Sequence, residues 1–159
     1  MYRIEPYRPA DHAAIVDFAA AIQEHERVLV PALRTGEEIK ASYTERILAR
    51  VAERNGLILV ARDGDRAVGF ACAWVDEDSD PLLRDEARHH AYVSDIYVAP
   101  EARRRGVARR LLDAIATEMR RRGCRRIRIC SKATNAEALA CYDDCGFRAY
   151  EVILEKPLG

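Results

Sequence analysis

Residues 90 to 130 are predicted to form a strand, a helix and a second strand in direct succession, and this order constrains the fold more than any other feature. Residues 90–98, HAYVSDIYV, are rich in strand-forming side chains and stop before Pro100. The helix after them carries an apolar stripe made of Val107, Ala108, Leu111, Leu112, Ile115 and Met119. RIRIC at 126–130 alternates like a half-buried strand. A helical connection joins parallel strands by a right-handed crossover, so we expect a parallel pair with a helix packed on it.

The remaining segments add antiparallel strands and further helices. LILVAR and RAVGFACAWV, separated by DGD, predict a hairpin over residues 57–75. Further strands are expected at 2–7 and 150–156, and further helices at 9–26, 37–54 and 135–145. No repeat or Gly/Pro-rich linker divides the chain. We therefore predict one domain over residues 1–159, of the α/β class in its α+β form, with a central mixed sheet of about six strands flanked by four helices.

Charge and cysteine content exclude several classes of protein. Lys plus Arg and Asp plus Glu both total 26, so the formal net charge is zero and a broad nucleic-acid surface is not expected. No stretch approaches the roughly 20 apolar residues of a membrane span, and the first residues lack the pattern of a signal peptide. The five cysteines lack CxxC spacing, which favours reduced thiols over a zinc site. We expect a cytoplasmic protein without a metal, a membrane partner or a nucleic-acid partner.

The stretch RRRGVARRLL at 103–112 places arginines at the start of the predicted helix. A helix N-terminus carries a partial positive charge, so Arg103, Arg104 and Arg105 are unfavourable there unless an anion is bound. With a phosphate present, backbone amides and guanidinium groups converge on it, and Gly106 permits close approach. Solvated arginines on an arginine-rich chain are the alternative. The nucleotide-binding patterns GxxxxGK[ST] and GxGxxG are both absent.

The same stretch matches the pattern Q/R-x-x-G-x-G/A, with Arg103, Gly106 and Ala108 in its defined positions. It follows DIYVAPEA, and NAEALACYDDCGF comes about 30 residues later. This combination resembles the GNAT superfamily of acetyl-CoA-dependent N-acetyltransferases, closely over residues 57–148 and loosely over the two N-terminal helices. The resemblance implies the fold of that superfamily and acetyl-CoA as the donor substrate.

The resemblance also implies where the donor binds. The main chain of Ile96, Tyr97 and Val98 is expected to bind the pantetheine arm, and the strands at 90–98 and 126–130 are expected to separate to admit it. The cradle for the pyrophosphate is expected to comprise Arg103, Arg104, Arg105, Gly106, Val107, Ala108 and Arg109. Most of these residues would contribute backbone N–H groups.

On the opposite wall the resemblance places Asn135 and Tyr142. The reaction that it implies is direct attack of an amine on the thioester in a ternary complex, where positioning supplies much of the acceleration. We expect the Val98 N–H to stabilise the oxyanion. A phenol, with a pKa of about 10, readily donates a hydrogen bond to a departing thiolate, and we assign this role to Tyr142. An aromatic side chain that only fills the core is the alternative for that residue.

The base that deprotonates the amine has several candidates, and one is needed because only about one amine in a few thousand is neutral at pH 7. Regular alternation puts His90 and Ser94 on one face of the strand and Asp95 on the other. In several members of the family that the chain resembles, a carboxylate occupies the position of Ser94. A bulge would instead turn Asp95 inward. His90, Asp95 and a water chain to solvent therefore all stay open.

The acceptor is the least constrained part of the prediction. Four glutamates, together with an acidic run at 76–80, either favour a cationic amine or are solvated surface; they are Glu24, Glu26, Glu37 and Glu38. We expect a small-molecule primary amine, with a protein N-terminus or lysine, or an acyl-CoA sensor without catalysis, as alternatives. The last predicted strand leaves an unpaired edge that a second subunit would cover, so a homodimer is expected.

Overall fold

The computed structural model describes residues 1–158 and contains one sheet of five strands in the order β1-β2-β3-β4-β5. The strands are β1 (Arg3–Pro6), β2 (Leu57–Asp63), β3 (Arg66–Glu77), β4 (His89–Val98) and β5 (Ile127–Ile129). Neighbouring strands are antiparallel, except that β4 and β5 are parallel. The predicted hairpin, parallel pair and mixed sheet are therefore confirmed.

Helices cover both faces of this sheet. They are α1 (His12–Leu29), α2 (Gly36–Glu53), α3 (Asp85–Arg88), α4 (Val107–Arg121) and α5 (Ala136–Asp144). α1 and α2 pack on one face, where Ile15, Ile47 and Phe70 belong to one buried cluster. α4 packs on the other face through its predicted stripe, of which Leu111 and Ile115 are fully buried. None of the helices within residues 1–158 is long and apolar enough to cross a membrane.

Two details differ from the prediction, since the described part of the chain, residues 1–158, has five strands in its sheet rather than six and five helices rather than four. Residues 150–156 form no strand, and Val152, Ile153 and Leu154 are 74, 88 and 89% exposed. A strand needs a neighbour for its backbone hydrogen bonds, and this tail has none within residues 1–158. The additional helix is α3, a single turn between β3 and β4.

A bulge lies in β4 at Ser94. The register with β3 places Ala73 opposite Val93 but Cys72 opposite Asp95, so Ser94 is an extra residue on β4. Because side chains alternate along a strand, the extra residue exchanges the two faces beyond it. Asp95 consequently turns to the side of the sheet that α1 and α2 cover.

β4 and β5 separate, as the resemblance to the GNAT superfamily implied. They pair only over Ala91–Val93 of β4, although that strand continues to Val98. From Ser94 onward, the edge of β4 that faces β5 therefore has no partner strand among the described residues 1–158. This opening is followed directly by the loop that leads into α4.

Candidate functional site

A cleft of about 740 Å³ opens where β4 and β5 separate. Its walls come from α1, α2, the end of β4, the loop and first turn of α4, and α5. All the residues predicted to bind acetyl-CoA or to act in catalysis line it except two, Arg105 and His90. The cleft therefore brings the predicted donor-binding residues together with Asp95 and Tyr142 and is the candidate active site.

The loop before α4 leaves a row of backbone donors free. Within residues 1–158, no backbone N–H from residue 104 to 109 donates to a carbonyl group, and the first hydrogen bond of the helix runs from Arg110 N–H to Gly106 O. Arg104 and Gly106 have φ angles of 57° and 74°, in the left-handed region. Glycine reaches that region without steric cost, whereas an arginine there costs about 1 kcal/mol. Free amides at the N-terminus of a helix form an anion-binding site, which the helix dipole strengthens.

The arginine side chains of this loop have different contacts. Arg103 Nε donates to a backbone carbonyl oxygen of β4 at 3.0 Å, and Arg109 Nη2 donates to the Asp144 carbonyl oxygen at 2.6 Å. Arg103 thereby ties the loop to β4, and Arg109 ties α4 to the C-terminal end of α5. Arg104 and Arg105 have no ion pair within residues 1–158, and of these two only Arg104 lines the cleft.

The backbone of β4 presents polar groups to the cleft in alternation. Ala99 N–H donates to a carbonyl oxygen of β3 at 2.8 Å, which makes this position a hydrogen-bonded pair. Hydrogen-bonded and non-bonded pairs alternate in an antiparallel ladder, so the N–H and C=O groups of Ile96 and Val98 point away from β3 and toward the cleft. The backbone groups of Tyr97 point toward β3 instead. The Tyr97 side chain stacks on Phe18, with ring centroids 4.9 Å apart.

α5 forms the opposite wall, with Asn135 and Tyr142 lining the cleft. Asn135 caps the helix, because its Oδ1 accepts a hydrogen bond from Ala138 N–H at 3.2 Å. The Tyr142 hydroxyl has no hydrogen-bond partner within residues 1–158. Burial raises the pKa of Tyr142 above its usual value, and the nearby Cys141 thiol and the carboxylates across the cleft raise it further. The phenol therefore stays protonated and available as a donor.

Asp95 is the buried carboxylate of the cleft, with 6% of its surface exposed. Its Oδ1 accepts a hydrogen bond from the Tyr43 hydroxyl at 2.7 Å, and its Oδ2 accepts one from the Cys72 thiol at 3.4 Å and one from the Ser94 hydroxyl. Burial, and then the neighbouring Asp95, raise the pKa of both Tyr43 and Cys72, so both groups stay protonated and donate. Three neutral donors thus hold this carboxylate, and no cation pairs with it within residues 1–158.

His90, the other side chain considered as a base, lies away from the cleft. It is 4% exposed, and its Nδ1 lies 3.1 Å from the Arg88 carbonyl oxygen. It sits opposite Asp76 near the start of β4, on the far side of the bulge, and does not line the cleft. Of the two candidate side chains, only Asp95 faces the site.

Of the four glutamates that the sequence suggested for the acceptor side, three have local partners. Glu24 accepts the Gly36 N–H and pairs with Arg27, and these contacts lower its pKa. In the first turn of α2, Glu38 accepts a hydrogen bond from Thr35 N–H, and Glu37 pairs with Lys40. Glu26 lines the cleft and has no ion pair within residues 1–158. The acidic run at 76–80 lies outside the cleft.

Tyr43 and Cys72 are site residues that the sequence did not reveal. Both contact Asp95, but they come from α2 and β3, and no local pattern connects them to β4. Tyr43 packs beside the apolar cluster under α2, and the hydroxyl at its tip is the one feature that distinguishes it from a core residue. The register of β3 and β4 brings Cys72 to Asp95, and the packing of α2 brings Tyr43 to it.

Similarity to known proteins agrees with this fold. The model of the acetyltransferase (GNAT) family matches residues 19–147. The structure of AAC(6')-Iy in complex with a bisubstrate analog, CoA-S-monomethyl-acetylneamine, is similar with a TM-score of 0.73 and 20% identity, over 99% of this chain and 97% of that chain. A mutant of the BH1408 protein from Bacillus halodurans gives a TM-score of 0.82 and 22% identity, over 98% and 99% of the two chains. No curated protein sequence matches the chain.

Proposed function

Because the chain belongs to the GNAT acetyltransferase family, we propose that it transfers the acetyl group of acetyl-CoA to the primary amine of a small molecule. The observation that carries this proposal is the row of free amides in the loop before α4 and in its first turn, beside an edge of β4 that has no partner strand within residues 1–158. The free N–H groups can donate hydrogen bonds to a diphosphate. The free edge of β4 can form backbone-like hydrogen bonds with a flexible arm that contains amide groups. Coenzyme A carries both groups in one molecule.

The donor would bind along these two features. The amides of residues 104–109 and the Arg104 side chain would hold the diphosphate. The outward N–H and C=O groups of Ile96 would pair with the pantetheine amides, which would lie beside β4 like an added strand. The Val98 carbonyl oxygen already accepts a hydrogen bond from Arg103 Nε, and the Val98 N–H would be left for the thioester oxygen. Asn135 and Tyr142 on α5 would close the opposite side.

The acceptor would bind at the other end, where carboxylates line the cleft. Asp95 and Glu26 both lack a cationic partner within residues 1–158, so an ammonium group would supply the missing charge. A cleft that is basic at one end and acidic at the other suits an anionic donor and a cationic acceptor. Asp95 would then take the proton from the bound ammonium as the general base.

Acetyl transfer would follow in the ternary complex. The freed nitrogen lone pair would attack the thioester carbon and form a tetrahedral intermediate. As its C–S bond breaks, the second amine proton would leave the nitrogen and reach the departing thiolate, so the products are the N-acetylated amine and the free thiol of coenzyme A, and Asp95 would return its proton to solvent. The Val98 N–H would stabilise the oxyanion, because it points into the cleft. The Tyr142 hydroxyl would donate to the departing sulfur, because it stays protonated and has no other partner within residues 1–158.

A small molecule is preferred as the acceptor because a protein of the same fold, AAC(6')-Iy, binds a bisubstrate analog that joins CoA to acetylneamine. The alternatives are an acceptor amine on a protein and a domain that binds acyl-CoA without catalysis. The first of these requires room for an extended peptide in the cleft, and the second requires no acceptor.

A thiol-release assay with acetyl-CoA against polyamines, amino sugars, amino acids and peptides tests the proposal. We expect turnover with small cationic amines. Turnover with peptides alone would favour the protein-directed alternative, and binding of acetyl-CoA in calorimetry without any transfer would favour the sensor. Absence of any heat of binding would overturn the assignment of the cleft.

We also propose that the protein is a homodimer through its C-terminal tail. Val152, Ile153 and Leu154 are exposed in succession, and within the described 158 residues β5 has a partner strand on one side only. Exposed apolar side chains and an open strand edge are both covered when a second copy packs against them. Light scattering after size exclusion should give the mass of a dimer. A monomer mass at micromolar concentration would contradict the proposal.

A further inference from the structure

Tyr43 connects the helix pair α1–α2 to the carboxylate in the cleft. Its hydroxyl donates to Asp95 Oδ1 at 2.7 Å, and this is the hydrogen bond that joins α2 to β4 within residues 1–158. Tyr43 itself lines the cleft and packs beside the buried cluster under α2. Its ring is therefore held by packing, while its polar tip holds the carboxylate.

The two oxygens of Asp95 are used unequally. Within residues 1–158, Oδ2 accepts hydrogen bonds from both Cys72 and Ser94, whereas Oδ1 accepts only the one from Tyr43. A carboxylate has about four acceptor positions, two on each oxygen, so the remaining position lies on Oδ1. Oδ1 is therefore the oxygen that can still accept a hydrogen bond from a substrate, and it is also the oxygen that the Tyr43 hydroxyl holds in place.

We propose that Tyr43 is a positioning residue, which acts through Asp95 by aiming Oδ1 at the acceptor amine. This inference rests on the proposed function, in which Asp95 is the base. The other titratable groups near Asp95 are Cys72 on β3, Tyr92 on its own strand and Tyr142 on α5. His25 and Glu26 of α1 line the same cleft.

Tyr43→Phe tests the inference, because it removes the donor and keeps the ring. We expect kcat to fall about tenfold and the KM for acetyl-CoA to stay within about twofold, since the donor binds at the other end of the cleft. The acid limb of the pH–rate profile should move to higher pH, because a carboxylate that has lost a donor keeps its proton longer. A purely structural role would lower thermal stability without moving this limb.

Tyr7→Phe is the matched control. Tyr7 packs against the same buried cluster as Tyr43 but does not line the cleft. It should leave kcat and the pH profile unchanged. An equal effect of both substitutions on the pH profile would overturn the inference.

A measurement on the free protein separates this inference from the proposed function. The carboxyl-¹³C spectrum of labelled aspartate at one fixed neutral pH, with the Asp95 signal assigned from Asp95→Asn, needs no substrate. In Tyr43→Phe the Asp95 signal should shift, because its carboxylate loses the hydrogen bond from Tyr43, and in Tyr7→Phe it should not shift. An unshifted signal in Tyr43→Phe would overturn the role of Tyr43, even if wild-type acetyl transfer is found. A shifted signal without any transfer would instead support the coupling and contradict the proposed function.

Discussion

The two ends of the cleft are built in different ways. At the α4 end, a single run of residues, 103–109, supplies free backbone amides and arginine side chains. At the acceptor end, Asp95 on β4, Tyr43 on α2, Cys72 on β3 and Glu26 on α1 come from four separate elements. The first end depends on local backbone conformation, and the second depends on individual side chains that only the packed fold brings together.

This difference predicts opposite sensitivities to mutation. The amides of residues 104–109 are present whatever side chains those residues carry, so the α4 end should respond to changes of backbone conformation. The acceptor end should respond to the loss of single polar groups. Variants at each end, with affinity for acetyl-CoA and turnover measured separately, show whether the two ends act independently.

The largest effect is expected from Asp95→Asn, which keeps the size of the side chain and removes its basicity. Turnover should fall by about a hundredfold or more, which is the usual contribution of a general base. The dissociation constant for acetyl-CoA should not change. Steady-state kinetics and calorimetry measure the two quantities. Asp113→Asn on the exposed side of α4 serves as the control, and a small loss of turnover in Asp95→Asn would favour a water chain as the base.

Tyr142→Phe tests the wall between the two ends. Its phenol is protonated and has no partner within residues 1–158, so removal of the hydroxyl should leave the fold intact. We expect turnover to fall on the order of tenfold, with little change in affinity for acetyl-CoA. Tyr150→Phe in the exposed tail is the control. Unchanged turnover in Tyr142→Phe would refute its assignment as the donor to the thiolate.

Gly106→Val should have the opposite effect to the two preceding substitutions, since it should weaken the binding of acetyl-CoA rather than lower turnover. Gly106 has φ 74° and open space around its Cα, so the substitution acts through backbone conformation alone. A β-branched residue in that conformation should cost about 1–2 kcal/mol, which corresponds to about a tenfold loss of affinity. Gly64→Val is a matched control, since Gly64 has φ 59°, equally open surroundings and a position outside the cleft. Equal affinity in both variants would contradict an amide cradle.

The smallest effect is expected from Glu26→Gln. This half-buried carboxylate lines the cleft and has no ion pair within residues 1–158, so its loss should weaken attraction of a cationic acceptor. We expect the KM for the amine to rise about threefold at low salt and less at high salt. Glu45→Gln on the exposed face of α2 is the control. A KM that does not depend on Glu26 would place the ammonium group beside Asp95 alone.

The central part of the fold was predictable because its signals are local and repeat along the chain. The apolar stripe of α4 is buried as predicted, with Leu111 and Ile115 at 0% exposure, and the crossover makes β4 and β5 parallel. The tail at 150–156 has the same strand-forming residue types, yet it pairs with no strand within residues 1–158, although the outer edge of β5 is open there. Residue type alone therefore did not predict the pairing on which a strand depends.

The candidate site was predictable to a different extent at each end. The run 103–109 was found from its composition and spacing, because everything that makes it an anion site lies within a few residues. His90 and Asp95 could not be separated, because regular alternation and a bulge predict opposite faces for Asp95. The register of β3 and β4 shows that the bulge is present, and no residue type in β4 predicts that bulge.

The amino-acid sequence by itself determined the order of strands and helices, the crossover unit and the arginine-flanked helix start, because these depend on periodicity and on neighbouring residues. Only the tertiary structure decided that Asp95 faces the cleft, that Tyr43, Cys72 and Ser94 hold it, and that His90 lies elsewhere. The physical reason is that one inserted residue in a strand exchanges its two faces. Contacts between distant elements then depend on the position of that bulge in the register with the neighbouring strand.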